Sequence, residues 1–293
     1  MDPSGLDSVR ARIGYLADGE GPARYLTYPP GSGRQTETPP KRYYEMPIYD
    51  CRSRSAELSL DVEGFALRRR ASSIADFFDG ELVRRDYYPE IERLMLEATG
   101  AVAVFVFDHN VRSGQAATQA RAGIREPVDM AHNDYTEESG PRRVREILTE
   151  RGRSDLADQP AALVNAWRPL HGPVKDIPLT VCEARTVAPT DFVATSIEHY
   201  GDGDFSQPRH SGEIYSFRHR PEHRWYYVRD MQANEVLLLK CFDTRRDGRA
   251  RYTAHTGFVN PECPTGVPAR ESIEVRTLVV FDNAAHGSEE RRP

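Results

Sequence analysis

The residues with the clearest capacity for chemistry are His132 and Asp134, which are separated by one residue, and His255, which lies much later in the chain. Two histidines and one carboxylate can hold a divalent metal ion on three corners of an octahedron and leave three corners open. Because successive side chains of a strand alternate in direction, His132 and Asp134 can face inward together while Asn133 faces out. We expect a facing strand to supply His255. The pattern predicts a catalytic metal site built on β-strands.

A second candidate group lies near the end of the chain. In the sequence from Arg270 to Arg276, the side chains of Arg270, Ser272, Glu274 and Arg276 share one face of a strand, and Ile273 and Val275 share the other. A polar face that points into a barrel would suit an anion, since arginine binds carboxylates in a bidentate manner and serine adds a hydroxyl donor. The alternative is an edge strand whose charged face meets solvent.

The elements that must position these residues are mainly strands. Residues 1–57 are rich in proline, glycine and tyrosine, which predicts an extended N-terminal segment with a short strand near Met46–Cys51. Residues 73–100 predict flanking helices, with Ser73 as a possible cap, Pro89 in a first turn and Gly100 at the end.

An apolar run follows at 101–107 and ends at Asp108-His109-Asn110, a turn-like cluster. A helix is expected from Ser139, its candidate N-cap, to Gly152. Further strands are predicted at 163–170, 179–187, 213–217, 224–230, 235–243, 251–259 and 272–281. Many short strands with few helices indicate a mainly β sandwich or jelly roll rather than a parallel α/β sheet. No linker divides the series, so we expect one domain over residues 1–293, with its core in 101–282.

Composition excludes several functional classes. The chain has 293 residues, a net charge of −6 and 39% hydrophobic residues. No long basic run is present, which argues against a nucleic-acid partner. No hydrophobic leader or membrane-length apolar run occurs, so a cytoplasmic protein is expected. The four cysteines, Cys51, Cys182, Cys241 and Cys263, contain no C-x-x-C pair, which favours reduced thiols over structural zinc.

The sequence resembles the Fe(II)/2-oxoglutarate-dependent oxygenases, and within them the subgroup of the cephamycin methoxylation oxygenase subunit and the fungal AsaB-type hydroxylase/desaturases. The similarity extends over about residues 45–281. It is carried by the segments Asp50-Cys-Arg52, Gly64-Phe, Tyr88-Pro-Glu90, Phe107-Asp-His109, His132-Asn-Asp134-Tyr-Thr-Glu, Asn165-Ala-Trp-Arg-Pro169, Trp225-Tyr-Tyr-Val, Glu235-Val-Leu-Leu-Leu-Lys240-Cys-Phe-Asp243, His255-Thr-Gly-Phe and Arg270-Glu-Ser-Ile-Glu-Val-Arg276.

This resemblance implies a double-stranded β-helix (jelly roll) with Fe(II) inside the barrel, 2-oxoglutarate as co-substrate, O2 as oxidant and a small, often secondary-metabolic, organic substrate. His132, Asp134 and His255 would bind iron. Arg270 with Ser272 would bind the distal carboxylate of 2-oxoglutarate, and Arg276 is the alternative arginine for that role. Relatives that halogenate have a small residue in place of the aspartate, so Asp134 favours hydroxylation or desaturation.

Other residues are weaker candidates. Asn165 and Arg168 fit the pattern of polar residues that line such a barrel and contact co-substrate or substrate, and purely structural hydrogen bonding is an equal alternative. Trp225, Tyr226 and Tyr227 are expected mainly in the core, and Lys240 in an ion pair with Asp243 or Glu235. The segment from Tyr200 to His223 is long and basic enough for a lid over an acidic substrate, or for a plain solvated loop. Its basic residues are Arg209, His210, Arg218, His219 and Arg220.

Two other functional classes remain open from the sequence. One is a jelly-roll metalloenzyme, an isomerase or hydrolase, that uses its metal without O2. The other is a jelly roll that binds a small ligand without catalysis. The motifs of lipase-type hydrolases, zinc proteases and phosphate-binding loops are absent from the sequence.

Overall fold

The computed structural model describes residues 1–19, 21–29, 32–115, 124, 126–201 and 205–283. Within these residues, strands form two sheets. The larger sheet has nine strands in the order β1-β3-β11-β8-β13-β6-β10-β9-β2. Its strands are β1 (Ser8–Leu16), β2 (Arg24–Thr27), β3 (Lys41–Asp50), β6 (His132–Asn133), β8 (Leu179–Cys182), β9 (Phe192–His199), β10 (His210–Phe217), β11 (Trp225–Tyr227) and β13 (His255–Gly257).

The smaller sheet has five strands in the order β4-β12-β7-β14-β5. They are β4 (Phe65–Arg69), β5 (Ala103–Ser113), β7 (Ala161–Pro169), β12 (Glu235–Asp243) and β14 (Glu271–Val280). All pairings in this sheet are antiparallel. The mainly β, jelly-roll architecture that the sequence predicts is confirmed.

Side chains from the two sheets meet in the interior of the roll. Trp167 and Leu239 of the small sheet pack against Val181 and Tyr226 of the large sheet, and all four are buried. This packing follows from period-2 alternation, which gives each strand one face toward the opposite sheet. The interior end of the roll that is not filled by these apolar groups holds the polar residues described below.

The helix Tyr88–Thr99 covers the outer face of the small sheet, and the helix Ser139–Glu150 packs on the inner face with Leu163 and Leu278. The helical segments are α1 (Gly80–Leu82), a π-helical turn (Val83–Tyr87), α2 (Tyr88–Thr99) and α3 (Ser139–Glu150), and short 3-10 turns occur at Arg52–Glu57, Ser154–Leu156, Ala184–Thr186 and Pro189–Asp191. Ile91 and Leu94 of α2 pack against Ile273 and Val275 of β14. The apolar face of the last strand therefore meets helices rather than solvent.

Several sequence-based boundaries differ from the structure. Residues 73–79 are not helical, because Asp79 is the N-cap and accepts hydrogen bonds from the backbone of Glu81 and Leu82. Ser139 is the first residue of α3 rather than its cap. Segment 1–57 is more regular than an extended wrap, since β1 and β3 are integral strands of the large sheet. Strand β9 was not expected.

Candidate metal and co-substrate site

The two histidines lie directly opposite each other on neighbouring strands. His132 of β6 pairs with His255 of β13 in antiparallel register, and their ring centroids are 4.4 Å apart. Opposed residues of such a pair project from the same face. His255 therefore comes from the adjacent strand of the same sheet, not from a facing strand as the sequence pattern suggested. Asp134 follows β6 immediately and completes the cluster.

The three side chains converge on a common point. The Oδ1 atom of Asp134 lies 3.7 Å from Nε2 of His132 and 4.0 Å from Nε2 of His255. One ligand atom from each residue lies within 4.8 Å of the other two. Atoms at these separations can surround one metal ion at bond lengths of roughly 2.0–2.5 Å. The predicted ligands are thus brought together with the spacing that one ion requires.

Hydrogen bonds fix which nitrogen of each ring faces the cluster. Nδ1 of His132 lies 2.9 Å from the carbonyl oxygen of Met130, and Nδ1 of His255 lies 3.0 Å from that of Thr253. A proton on Nδ1 that is donated to a carbonyl leaves the Nε2 lone pair free to bind metal. Burial, with the neighbouring His255, lowers the pKa of His132 to about 3, so this ring is neutral at physiological pH.

The two oxygen atoms of the Asp134 carboxylate have different neighbours. Its Oδ2 accepts hydrogen bonds from Nδ2 of Asn165 at 2.9 Å and from Nε of Arg276 at 3.0 Å. Burial alone would raise the pKa of Asp134, but Arg276 and the two histidines outweigh it and hold the pKa below its usual range. Oδ1 of this ionised carboxylate remains directed at the histidines.

Asn133, between the two ligands, points away from the cluster but is fully buried rather than exposed. Its Nδ2 donates to the carbonyl oxygens of Tyr135 and Cys241, both at 2.8 Å, and its Oδ1 accepts from the backbone N–H of Thr253 at 3.2 Å. Cys241 belongs to β12 of the small sheet, and Thr253 lies two residues before His255. Asn133 therefore ties both histidine-bearing segments to the opposite sheet.

Arg270 and Ser272 leave polar atoms unsatisfied inside the protein. Arg270 is 4% exposed and Ser272 is 1% exposed. One guanidinium nitrogen of Arg270 donates to the carbonyl of Ile177 at 2.8 Å, but Nε of Arg270 and Oγ of Ser272 have no hydrogen-bond partner. Burial, with the nearby guanidinium of Arg112, lowers the pKa of Arg270 to about 10, so it still carries its charge at neutral pH. Buried donors of this kind are rarely left unmatched.

Arg276 has the opposite environment. Besides Asp134, it donates to Oδ2 of Asp108 at 2.9 Å and to Oε1 of Glu274 at 3.3 Å. No ion pair of the described residues includes Arg270, whereas Arg276 contacts three carboxylates. The guanidinium of Arg276 is thus engaged by the protein itself, and that of Arg270 is the one available to an external carboxylate.

Strand β5 adds polar side chains to the same interior face. Asp108, Asn110 and Arg112 lie opposite Arg276, Glu274 and Ser272 in register. Sequence analysis missed them, because Asp108-His-Asn110 was interpreted as a turn that ends the apolar run. Period-2 alternation could have found them. His109 and Val111, which lie between these residues in the sequence, are opposite Val275 and Ile273 on the helix-facing side, so the polar side chains face the interior.

A cavity of about 730 Å³ opens onto the cluster. His132, Asp134 and Arg276 lie in its wall together with Arg112 and Phe107 of β5. The remaining wall comes from β2, β9, β10 and the first half of α3, including Tyr25, Ile197, His199, His210, Ile214, Arg142 and Arg143. Pockets of this size typically take small organic molecules.

Some predicted site residues lie elsewhere. Asn165 is in the cluster, but Arg168 is on the other face of β7, where it contacts the carbonyl of Arg70 and lies 5.4 Å from the ring centre of Tyr87. The structure therefore does not bring Arg168 to the metal or co-substrate site. The preferred role of Lys240 as an ion-pair partner is consistent with its contact to Asp243 at 2.8 Å.

The structure also shows where the aromatic residues Trp225, Tyr226 and Tyr227 and the basic segment from Tyr200 to His223 lie. Trp225, Tyr226 and Tyr227 are buried in the two apolar cores. In the segment Tyr200–His223, residues 202–204 lie outside the described part, and the middle of the segment forms β10 (His210–Phe217). His210 lines the cavity, but His219 stacks on Tyr44 at 3.7 Å between ring centroids.

A family model and several curated proteins are similar to this chain over most of its length. A family model described as an oxidoreductase/YMDC permease-like domain matches residues 13–280. The hydroxylase/desaturase efuI of Hormonema carpetanum is 33% identical over 263 residues, which cover 83% of this chain and 86% of that protein. The alpha-ketoglutarate-dependent dioxygenase phiK of a fungal species is 32% identical over 237 residues, which cover 78% of this chain and 81% of that protein.

Among solved structures, the fold is similar to that of the iron and alpha-ketoglutarate-dependent endoperoxidase NvfI. The TM-score is 0.80 at 23% sequence identity, and the match covers 94% of this chain and 99% of that chain. This likeness supports the jelly-roll fold over nearly the whole length.

Proposed function

Since the chain belongs to the Fe(II)/2-oxoglutarate-dependent oxygenases, in the group of the fungal hydroxylase/desaturases, we propose that His132, Asp134 and His255 bind its iron. The observation that carries this assignment is the convergence of two Nε2 atoms and one carboxylate oxygen within 4.8 Å. Two imidazoles and one carboxylate form the ligand set that Fe(II) oxygenases use, with three positions left for co-substrate and O2.

The co-substrate fits a separate part of the site. We assign the distal carboxylate of 2-oxoglutarate (alpha-ketoglutarate) to Arg270 and Ser272, because the Nε atom of Arg270 and the hydroxyl of Ser272 are buried without partners. A carboxylate there would satisfy both donors by charge-assisted hydrogen bonds. Arg276 and Asn165 serve a different purpose in this proposal, since they hold Oδ2 of Asp134.

When bound, iron and 2-oxoglutarate supply the oxidation, in which O2 is reduced and hydrogen is removed from a C–H bond of the substrate. The role of the protein residues is to orient the side chains that would bind the metal. Carbonyl acceptors hold His132 and His255 with Nε2 inward, and Arg276 with Asn165 keeps Asp134 ionised and would leave its Oδ1 to the metal.

We propose a small organic molecule, of secondary-metabolite type, as substrate. The cavity beside His132 has room for it and combines apolar groups such as Phe107, Ile197 and Ile214 with polar ones. The aspartate at the second ligand position favours hydroxylation or desaturation over halogenation, as the family resemblance implies. No described helix is long and apolar enough to cross a membrane. We propose the cytoplasm as the site of action.

The decisive experiment is anaerobic loading of the protein with Fe(II), followed by titration with 2-oxoglutarate and measurement of the visible charge-transfer band. We expect the band in the wild type and its loss in Asp134→Ala, which should remain folded. Arg270→Ala should weaken 2-oxoglutarate binding by about 10–100-fold, the loss expected for hydrogen bonds to a charged group.

Other results would select another class. Bound iron without a band at any 2-oxoglutarate concentration, with anaerobic turnover, would indicate a metalloenzyme that does not use O2. Small-ligand binding that persists without metal and in His132→Ala would indicate a non-catalytic binding protein. Full substrate-dependent succinate formation by Asp134→Ala would refute the metal-ligand assignment.

A further inference from the structure

We propose that the interior face of β2, β9 and β10 is the specificity wall of the substrate cavity, and that it takes an uncharged, oxygen-bearing molecule with an apolar body. In this wall the hydroxyl of Tyr25 donates a hydrogen bond to an oxygen of the substrate, and Gly212 leaves room for the apolar body. The inference rests on the function proposed above and names the substrate class for the same site.

The register of the three strands places the residues of the specificity wall in cross-strand rows. One row consists of a residue from each strand, Tyr25, Ile197 and Gly212. The next row consists of Thr27, His199 and His210. Residues in register project from the same face of a sheet, and all six line the cavity. The three strands therefore present one continuous surface to a bound molecule.

The specificity wall extends along β10 away from the metal-binding end. Ser216 of β10 pairs with His132, and the positions that share its face by alternation are Ile214, Gly212 and His210. At about 3.3 Å per residue, His210 lies about 20 Å along the strand from Ser216. The wall is thus long enough for a molecule considerably larger than 2-oxoglutarate.

The described interior positions of β2, β9 and β10 carry no carboxylate, ammonium or guanidinium group. Glu213, which also borders the cavity, belongs to the other face of β10, and its carboxylate accepts a hydrogen bond from the hydroxyl of Thr136. The other charged residues around the cavity belong to β5, β14, α3 and the segment after β6. A charged group held against the specificity wall would lose its hydration without gaining an ionic partner there, so the wall favours an uncharged molecule.

The hydroxyl of Tyr25 has a weak acceptor within the described residues. It donates to the sulfur of Met130 at 3.8 Å, and a thioether accepts hydrogen bonds poorly. Burial raises the pKa of Tyr25 to about 12, so the phenol keeps its proton at neutral pH. Met130 is also the residue whose carbonyl oxygen holds His132, which places this hydroxyl near the metal-binding end. A carbonyl, hydroxyl or ether oxygen of the substrate would be a better acceptor than the sulfur.

Gly212 forms an opening in the middle of the specificity wall. A Cβ atom at this position would have no other atom within 4 Å, and Gly212 lines the cavity. Its φ is not in the left-handed region, so the backbone accepts other residues without strain. A larger side chain at this position would therefore occupy cavity space rather than displace the protein.

The test uses Prodan, an uncharged naphthalene ketone. Its fluorescence moves to shorter wavelength in apolar surroundings and to longer wavelength when its carbonyl accepts a hydrogen bond. Metal-free protein is titrated with Prodan, and the dissociation constant and the emission maximum of the bound dye are measured. We expect the wild type to bind Prodan with emission at shorter wavelength than in water.

Two substitutions locate the dye. Gly212→Leu should weaken Prodan binding by about tenfold or more, because the new side chain occupies the space of the ligand. Tyr25→Phe should weaken binding by about three- to tenfold, the loss expected for one neutral hydrogen bond. It should also move the emission of the bound dye further to shorter wavelength, a change that a merely structural role of Tyr25 would not produce.

The controls separate the specificity wall from the rest of the fold. Ala194→Leu adds the same side chain to the exposed outer face of β9, and Tyr44→Phe removes a hydroxyl from β3. Both should leave the dissociation constant of Prodan unchanged. The sulfonate dye 8-anilinonaphthalene-1-sulfonate should not displace bound Prodan at equal concentration. Thermal unfolding of each variant reports whether the fold is intact.

Absence of Prodan binding to the wild type, or an unchanged affinity in a folded Gly212→Leu variant, would overturn the inference. A weaker affinity in Tyr25→Phe without a shift of the emission maximum would show that the hydroxyl of Tyr25 does not contact the ligand. Displacement of Prodan by the sulfonate dye would refute the preference for an uncharged molecule. Because these titrations use metal-free protein, they are independent of the charge-transfer band, whose absence would refute the proposed function itself.

Discussion

The guanidinium Nε of Arg276 lies 3.0 Å from Oδ2 of Asp134, and this contact leaves Oδ1 of the same carboxylate to face His132 and His255. Arg276 is itself held by Asp108 and Glu274, so its position does not depend on Asp134 alone. Because Arg276 fixes Oδ2 of Asp134, Oδ1 of the same carboxylate needs little reorganisation to bind metal.

We therefore expect Arg276→Gln to weaken metal binding by about 10–100-fold, as is typical for loss of a residue that orients a ligand. Competition of the protein with a chelator of known iron affinity measures the change. Arg151→Gln, which removes an arginine at the end of α3, is the matched control. Unchanged iron affinity in a folded Arg276→Gln variant would show that Asn165 alone orients Asp134.

Gly257 lies against Arg270, for which we propose the co-substrate role. A Cβ atom at this position would be 3.0 Å from Cγ2 of Ile177, 3.1 Å from the carbonyl oxygen of Val128 and 3.5 Å from NH1 of Arg270. Gly257→Ala should therefore push Ile177, whose carbonyl oxygen holds the guanidinium of Arg270, and so weaken 2-oxoglutarate binding, while iron binding by His255 changes less. Gly212→Ala is the control for keto-acid affinity, since no atom lies within 4 Å of its added methyl group. Equal keto-acid affinities in the two variants would contradict the prediction.

Asn133→Ala should destabilise the fold and the metal site together. The substitution leaves the carbonyls of Tyr135 and Cys241 and the N–H of Thr253 without their side-chain partner in a buried region. We expect a loss of about 2–4 kcal/mol in the free energy of unfolding. Urea denaturation of the metal-free protein measures it, with Asn260→Ala, at a surface loop, as the control. A loss no larger than that of the control would mean that Asn133 contributes little to the fold.

Acidification should destabilise the protein through buried histidines that are not metal ligands. Burial lowers the pKa of His223, although Asp191 partly opposes the shift, and Tyr15, His219 and Arg220 are the other groups around the ring. The unfolded chain then takes up its proton first as the pH falls below about 6.5, so stability decreases between neutral pH and pH 5.

This pH effect is measured as the free energy of unfolding in the presence of a chelator, which removes the contribution of metal. His223→Gln should flatten the dependence on pH. His109, whose pKa is also lowered by burial, accounts for part of the remainder. A slope that is the same in His223→Gln and the wild type would exclude His223 as a source.

Sequence reasoning found the site residues whose spacing along the chain places them on one face of a strand. His132 and Asp134 share a face because they are two residues apart, and the alternation from Arg270 to Arg276 follows the same rule. The distinction between the two arginines could not be predicted, because it depends on carboxylates brought by β5 and by the residue after β6. Asn133 faces away from the cluster as expected, but its burial could not be predicted, since its partners Cys241 and Thr253 lie in β12 and before β13.

Non-local contacts also explain the errors in the fold and the cavity. Arg168 shares a strand with Asn165, but an odd separation of three residues places it on the helix-facing side. The cavity wall combines β2, β9, β10 and α3, whose adjacency depends on the strand order of the large sheet. The segment 73–79 has helix-forming residues, yet Asp79 caps the helix later in the chain.

The register of β6 has a consequence for how the protein is made. Strand β6 comes early in the chain, but its neighbours in the sheet, β10 and β13, are both synthesised after it. A growing chain that has not yet produced residue 255 carries His132 and Asp134 but lacks the strand that pairs with β6 and bears His255. The complete set of three side chains can therefore form only after residue 255 has been synthesised.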